Sequence, residues 1–78
     1  MIIGPQIRAG RALIGMKQAE LAVAADVSLA TLNNIERGVS DPKASTLQAI
    51  KRALEQSGVL FIDQNGHGPG VRLRDRTE

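Results

Sequence analysis

The chain of 78 residues has no cysteine, no tryptophan and no tyrosine, and its one aromatic residue is Phe61. Without cysteine there is no disulfide and no thiolate metal site, which fits a reducing, cytoplasmic setting. With one phenylalanine there is no platform on which unpaired bases could stack, and such platforms are what single-strand and sequence-reading RNA binders use. Duplex DNA asks for no stacking residue. No apolar run approaches the roughly 18 residues of a membrane span. Met1-Ile-Ile-Gly-Pro5 is too short, and lacks the basic start, for a signal peptide. The sole histidine, His67, lies between glycines with no acidic cluster to complete a metal site. The run Asn65-Gly-His-Gly-Pro-Gly70 lacks the Gly-Lys-Ser/Thr of a phosphate loop. No serine or aspartate has a recognisable base beside it. The sequence therefore argues against an enzyme and calls for no metal or cofactor.

The chain is short enough for one domain with a small core, the size at which a second subunit commonly adds stability. Net charge is +2, unevenly placed. Arg8, Arg11 and Lys17 precede the first acid, Glu20, and Arg72, Arg74 and Arg76 gather at the other end. Basic clusters favour a polyanionic partner, although scattered Lys and Arg are usually just solvated.

Periodicity divides the chain. Pro5 suits a first helical turn, where its missing N–H costs nothing. Ile7, Leu13 and Ile14 supply an apolar stripe, and Gly15 ends the helix. Gly10 falls mid-helix, at a cost of about 1 kcal/mol relative to alanine; simple tolerance is favoured slightly over a packing role. A second helix starts near Lys17 or Gln18, with Leu21, Ala22 and Ala25 on one face. Asp26 tolerates a left-handed turn, Val27 is an apolar plug, and Ser28 is a good N-cap. A third helix runs to about Arg37, with Leu32 and Ile35 inward and Gly38 as its stop. Two short helices so tightly joined must cross steeply, which is the helix-turn-helix arrangement. Gly38-Val-Ser-Asp-Pro-Lys43 is a loop. Ser45-Thr-Leu-Gln48 reads as a capping box opening a fourth helix, with Leu47, Ile50 and Leu54 inward and Gly58 as the stop.

The last third changes period. Val59-Leu-Phe-Ile-Asp63 and Val71-Arg-Leu-Arg74 flank a turn cluster and read as a hairpin. A lone two-stranded hairpin is marginal in water, and its edges invite pairing. The economical solution is a second copy of the chain, with Val59, Leu60, Phe61, Ile62, Val71 and Leu73 at the dimer contact. A one-residue slip exchanges the two faces, so the inward set stays open. The expected organisation is one domain over residues 1–78: a helical part, 1–58, then a hairpin and tail, 59–78.

Gln18-Ala-Glu-Leu-Ala22, Val27-Ser28 and Leu32-Asn-Asn-Ile-Glu-Arg-Gly38 closely resemble the Cro/phage-repressor, or Xre, family of transcriptional regulators. The resemblance covers roughly Ile7 to Leu54. It implies a mainly α, lambda-repressor-like four-helix DNA-binding domain, here followed by the hairpin. It also implies a sequence-specific regulator binding a palindromic duplex operator as a homodimer. Leu29, Ala30, Asn33 and Asn34 then fall at the base-reading positions. Asparagine can pair with adenine, and an apolar side chain can meet a thymine methyl. Leu29 and Ala30 depart from the polar pairs of better-known repressors, which weakens direct readout there. Gln18, Ser28, Thr31 and Lys43 fall at phosphate-contacting positions, and Arg11 with Glu36 at a structural ion pair. Small relatives with a similar Gly-Pro-Gly-Val-Arg-Leu ending support the shared hairpin. The same sequence also admits an antitoxin that neutralises a cognate toxin, or an interaction module that has lost DNA binding.

Overall fold

A computed structural model describes residues 1–75. Its elements run α1 (Gly4–Ile14), α2 (Gln18–Ala25), α3 (Leu29–Arg37), α4 (Ala44–Gln56), β1 (Val59–Ile62) and β2 (Gly70–Leu73). Arg76, the last of the C-terminal arginines, lies outside the described residues. No helix among them is long and apolar enough to cross a membrane.

The breaks between helices follow the local chemistry anticipated from the residue types. Asp26 takes a left-handed conformation at φ 56°, the one non-glycine residue among those described to do so. That closes α2 and turns the chain within two residues into α3. The Ser28 hydroxyl then accepts the Thr31 N–H at 3.0 Å, capping α3. Val27, half-buried, packs against the core from the turn.

Among the described residues the largest fully buried side chains are Ile7, Leu21, Leu32, Ile50, Leu54 and Val59. Each helix thus contributes, and so does β1. Burial of such a side chain is worth roughly 1.5–3 kcal/mol, so few of them hold a domain this small. One expectation for α1 changes. Leu13 is 43% exposed, because it sits about 120° around the helix from Ile7, whereas Ile14 returns nearly into line with it. Gly10 is buried but not crowded. A β-carbon there would lie 3.4 Å from both Leu54 Cδ1 and Val59 Cγ1, ordinary van der Waals contact, so the position tolerates glycine rather than requiring it.

The start of α4 also differs from the Ser45 capping box. The chain leaves Pro42 extended, Lys43 keeps ψ 149° as the N-cap residue, and the helix begins at Ala44. The carbonyl of Lys43 already accepts the Thr46 and Leu47 amides, each at 3.1 Å. Ser45 is therefore inside the first turn, too late to cap it.

The strands are antiparallel, with Val59 opposite Leu73, Leu60 opposite Arg72, Phe61 opposite Val71 and Ile62 opposite Gly70. Directly opposed residues share a face. Val59 is fully buried, and Phe61 and Val71 pack against the core. That face, which includes Leu73, covers the helices. The side chain of Val59 is thus enclosed within its own chain, and Phe61 and Val71 are partly engaged there too. Leu60 and Ile62 are the apolar residues that turn outward.

Candidate nucleic-acid interface

Helix α3 has one buried and one open side. Leu32, Ile35 and Glu36 are buried, whereas Leu29, Ala30, Thr31, Asn34 and Arg37 are exposed and Asn33 is half-buried. The exposed row begins at the N-terminus, which Ser28 caps and where free amides carry partial positive charge. Ser28 Oγ and Thr31 Oγ1 lie 2.8 Å apart in a hydrogen bond at the surface. Three of the four expected base-reading positions, Leu29, Ala30 and Asn34, thus share open surface with two of the expected phosphate contacts.

Asn33 has a second engagement. Gln18 Nε2, at the first residue of α2, donates to Asn33 Oδ1 at 3.4 Å and to Glu36 Oε1 at 3.2 Å. The side chain of Gln18 therefore ties the start of α2 to α3 and leaves its carbonyl oxygen out of both bonds. Glu20 Oε1 accepts the Lys17 N–H at 2.8 Å. That places an acid at the start of α2 and removes one amide from those open to an anion.

Glu36 is the hub of this side. Arg11 Nε and Nη2 each donate to it at 2.7 Å, one to each carboxylate oxygen. Arg11 Nη1 also donates to the Met16 carbonyl at 3.2 Å. The guanidinium thereby fastens α1, the turn after it and α3 together. The hydrogen bond to Glu36 raises the Arg11 pKa, against the opposing effect of burial, and the carboxylate's charge raises it further. The pair expected at Arg11 and Glu36 is present, with the carboxylate side chain 3% exposed and the arginine 20%.

Lys43 is exposed at the N-terminus of α4, with Asp41 exposed two residues earlier. A cation at that helix start sits against the dipole, so it does not stabilise the helix.

Two residues escaped the sequence reading. Gln6 is 4% exposed, and all its polar groups are used. Its Oε1 accepts the Ile3 N–H at 2.9 Å, and its Nε2 donates to the carbonyls of Gly70 at 3.0 Å and Ile62 at 3.3 Å. Gly4 abuts the end of α3: a β-carbon there would lie 2.6 Å from the Ile35 carbonyl oxygen and 2.7 Å from that of Glu36. The available hint was a glutamine at the third position of a helix whose N-cap, Ile3, has no capping side chain.

The chain matches the helix-turn-helix family model over residues 7–60. Among solved structures it is similar to the SinR protein of a SinR/SinI complex, at 31% identity and a TM-score of 0.64, over 69% of this chain and 53% of that one. It is similar to the DNA-binding domain of the P22 c2 repressor at 31% identity and a TM-score of 0.64, over 70% of this chain and 72% of that one. The chain thus spans about half of the SinR chain it matches. No curated protein sequence matches significantly.

Proposed function

The chain belongs to the helix-turn-helix family of Cro- and phage-repressor-like DNA-binding regulators, and on that premise we propose that it recognises a specific duplex operator as a homodimer. The observation that carries this reading is the two-sidedness of α3. Its inner side is locked by Leu32, Ile35 and the Arg11–Glu36–Gln18 cluster, while Leu29, Ala30, Thr31 and Asn34 stand free on one surface. A rigid helix with a short, uncrowded outer row suits a major groove.

Roles then divide by chemistry. Asn34 reads adenine, and Asn33 does so in company with Gln18. Leu29 and Ala30 offer apolar contact to thymine methyls. Ser28, Thr31, Gln18 and Lys43 bind phosphates, which set register without reading sequence. The second copy docks through the outward side of the hairpin, where Leu60 and Ile62 stand beside Arg72. A two-fold axis there would set two α3 helices about one DNA turn, roughly 34 Å, apart.

Selection of bound duplexes from genomic DNA, followed by titration of the recovered sites, tests the proposal. The expected result is a small set of palindromic sites bound far more tightly than bulk DNA. Equal affinity for all duplexes would reject it.

A further inference from the structure

We propose that Gln6 is a positioning residue that sets the angle between the hairpin and α3, and so the half-site spacing the dimer accepts. The inference rests on the hairpin-mediated dimer proposed above and adds the device that makes its geometry rigid.

The hairpin is held at both ends. At its base the Arg74 N–H donates to the Gly58 carbonyl at 2.7 Å, and Arg74 Nη1 donates to the Glu55 carbonyl in the last turn of α4 at 2.9 Å. At its loop end, Ile62 and Gly70 form the final register pair before the turn. Gln6 Nε2 grips the carbonyls of both. Between the two ends Val59, Phe61 and Val71 seat the ribbon on the helices, and the Gln6 grip fixes the last register pair, where the strands run out into the loop.

The orientation of the Gln6 amide is dictated by its neighbours. One N–H donor, from Ile3, faces one end of it, and two carbonyl acceptors face the other. The oxygen must point to Ile3 and the nitrogen to the hairpin; a flipped amide would set oxygen against two oxygens. The same helical turn carries Gly4, packed on the carbonyls that end α3. The first turn of α1 is thus a junction. It meets the loop end of the hairpin on one side and the C-terminal end of α3 on the other, with no flexible segment between. Whatever angle the hairpin takes in the dimer is passed to α3 through this turn.

Two variants separate the tie from the fold. Gln6→Glu keeps an acceptor for the Ile3 N–H but turns a carboxylate toward two carbonyls, so it cuts the hairpin tie and spares the helix cap. Gln6→Met keeps the length and removes every polar contact. The probes are synthetic duplexes carrying one half-site, or two at graded separations, with the half-site taken from random-duplex selection. The native dimer should favour one separation over another shifted by half a helical turn by ~10²-fold or more, the gain from simultaneous engagement, and the variants by less than ~10-fold. Affinity for a single half-site should change by no more than about twofold, since the groups facing DNA are untouched.

Native spacing selectivity in either folded variant overturns the inference and leaves the dimer reading standing. A native protein that binds paired half-sites no better than single ones overturns the dimer reading, and this inference with it. A measurement on the native chain needs no variant. The Gln6 side-chain amide protons should exchange with solvent far more slowly than those of exposed Gln48. Equal rates would mean that the tie does not exist.

Discussion

Glu36 receives Arg11 in a two-pronged hydrogen bond, both arms 2.7 Å long, and this joins the last turn of α1 to the last turn of α3. The carboxylate is buried, so its worth lies less in net attraction than in the cost of breaking it. Removing Arg11 strands a charge among Ile35, Gln18 and the turn. Arg11→Ala should cost about 3–5 kcal/mol in denaturant unfolding, and Arg11→Lys should recover only part of that, since an ammonium cannot fill both prongs. The raised Arg11 pKa gives stability that is complete below the unfolded value and lost only as pH climbs through the folded one. Stability from this group should therefore be flat across the neutral range.

Gly4 and Gly10 make a matched pair of tests. At Gly4 an added methyl would meet backbone oxygens at 2.6 and 2.7 Å, which cannot step aside without moving α3. Gly4→Ala should destabilise by about 1–3 kcal/mol. At Gly10 the nearest atoms are side-chain methyls at 3.4 Å, and alanine returns about 1 kcal/mol of helix propensity. Gly10→Ala should fall within about 1 kcal/mol of the native protein. Thermal unfolding of the two variants side by side decides it, and equal losses would contradict the contrast.

The cap at Ser28 predicts a smaller effect with two readouts. Ser28→Ala loses the bond to the Thr31 amide and should cost about 1 kcal/mol, a fall of roughly 4–8 °C in Tm for a domain of this size. Ser28→Asp should restore the cap and the Tm, yet weaken DNA binding, because a carboxylate repels phosphate. If Ser28→Asp binds operator as well as the native chain does, Ser28 is a cap alone.

Much of this was legible in the sequence because it is local. Asp26 at the turn, Ser28 as cap and the inward Leu32 and Ile35 each follow from residues a turn apart. Arg11 and Glu36 are 25 residues apart, and it was resemblance, not periodicity, that paired them. Gln6 and Gly4 were hidden for the same physical reason. Apart from Ile3, which Gln6 also caps, their partners lie 31 to 64 residues away, and neither residue breaks a local pattern. The start of α4 was misplaced because Ser45 and Gln48 have the capping spacing, while the backbone leaving Pro42 had already committed Lys43. The strand register could not be read, since sliding by one residue leaves an apolar row on either face.

Electrostatic anchoring sets the salt response. If a dimer neutralises roughly six phosphates with lysines and arginines, Lys43 among them, log K should fall with log salt at a slope of about −5. Lys43→Ala should weaken all duplexes alike and flatten the slope by about 1 per lost contact. Asn34→Ala should behave differently, costing roughly 1–3 kcal/mol at one base pair and relaxing preference there. A titration series over salt, run on operator and on unrelated duplex, distinguishes the two classes. A flat salt response would contradict the phosphate role of Lys43.

The dimer is best challenged from the outer side of the hairpin rather than by removing it. Truncation after Gly58 would take away Val59, which is fully buried, and the carbonyls that Gln6 holds, so the helices would lose part of their own core. Ile62 is 45% exposed and Leu60 half-buried on the outward face. Charges placed there disturb the protomer little but face their own copies across a two-fold axis. Ile62→Lys combined with Leu60→Lys should therefore yield a folded monomer by sedimentation at micromolar concentration, with thermal stability near that of a native protomer. Val59→Ala is the contrasting control: it should leave association intact while costing about 2 kcal/mol as a core cavity. Operator affinity of the double lysine variant should drop toward that of a single half-site, because the second α3 no longer arrives with the first. A dimer that survives both lysines would move the contact away from this face and leave Leu60 and Ile62 without the role proposed for them.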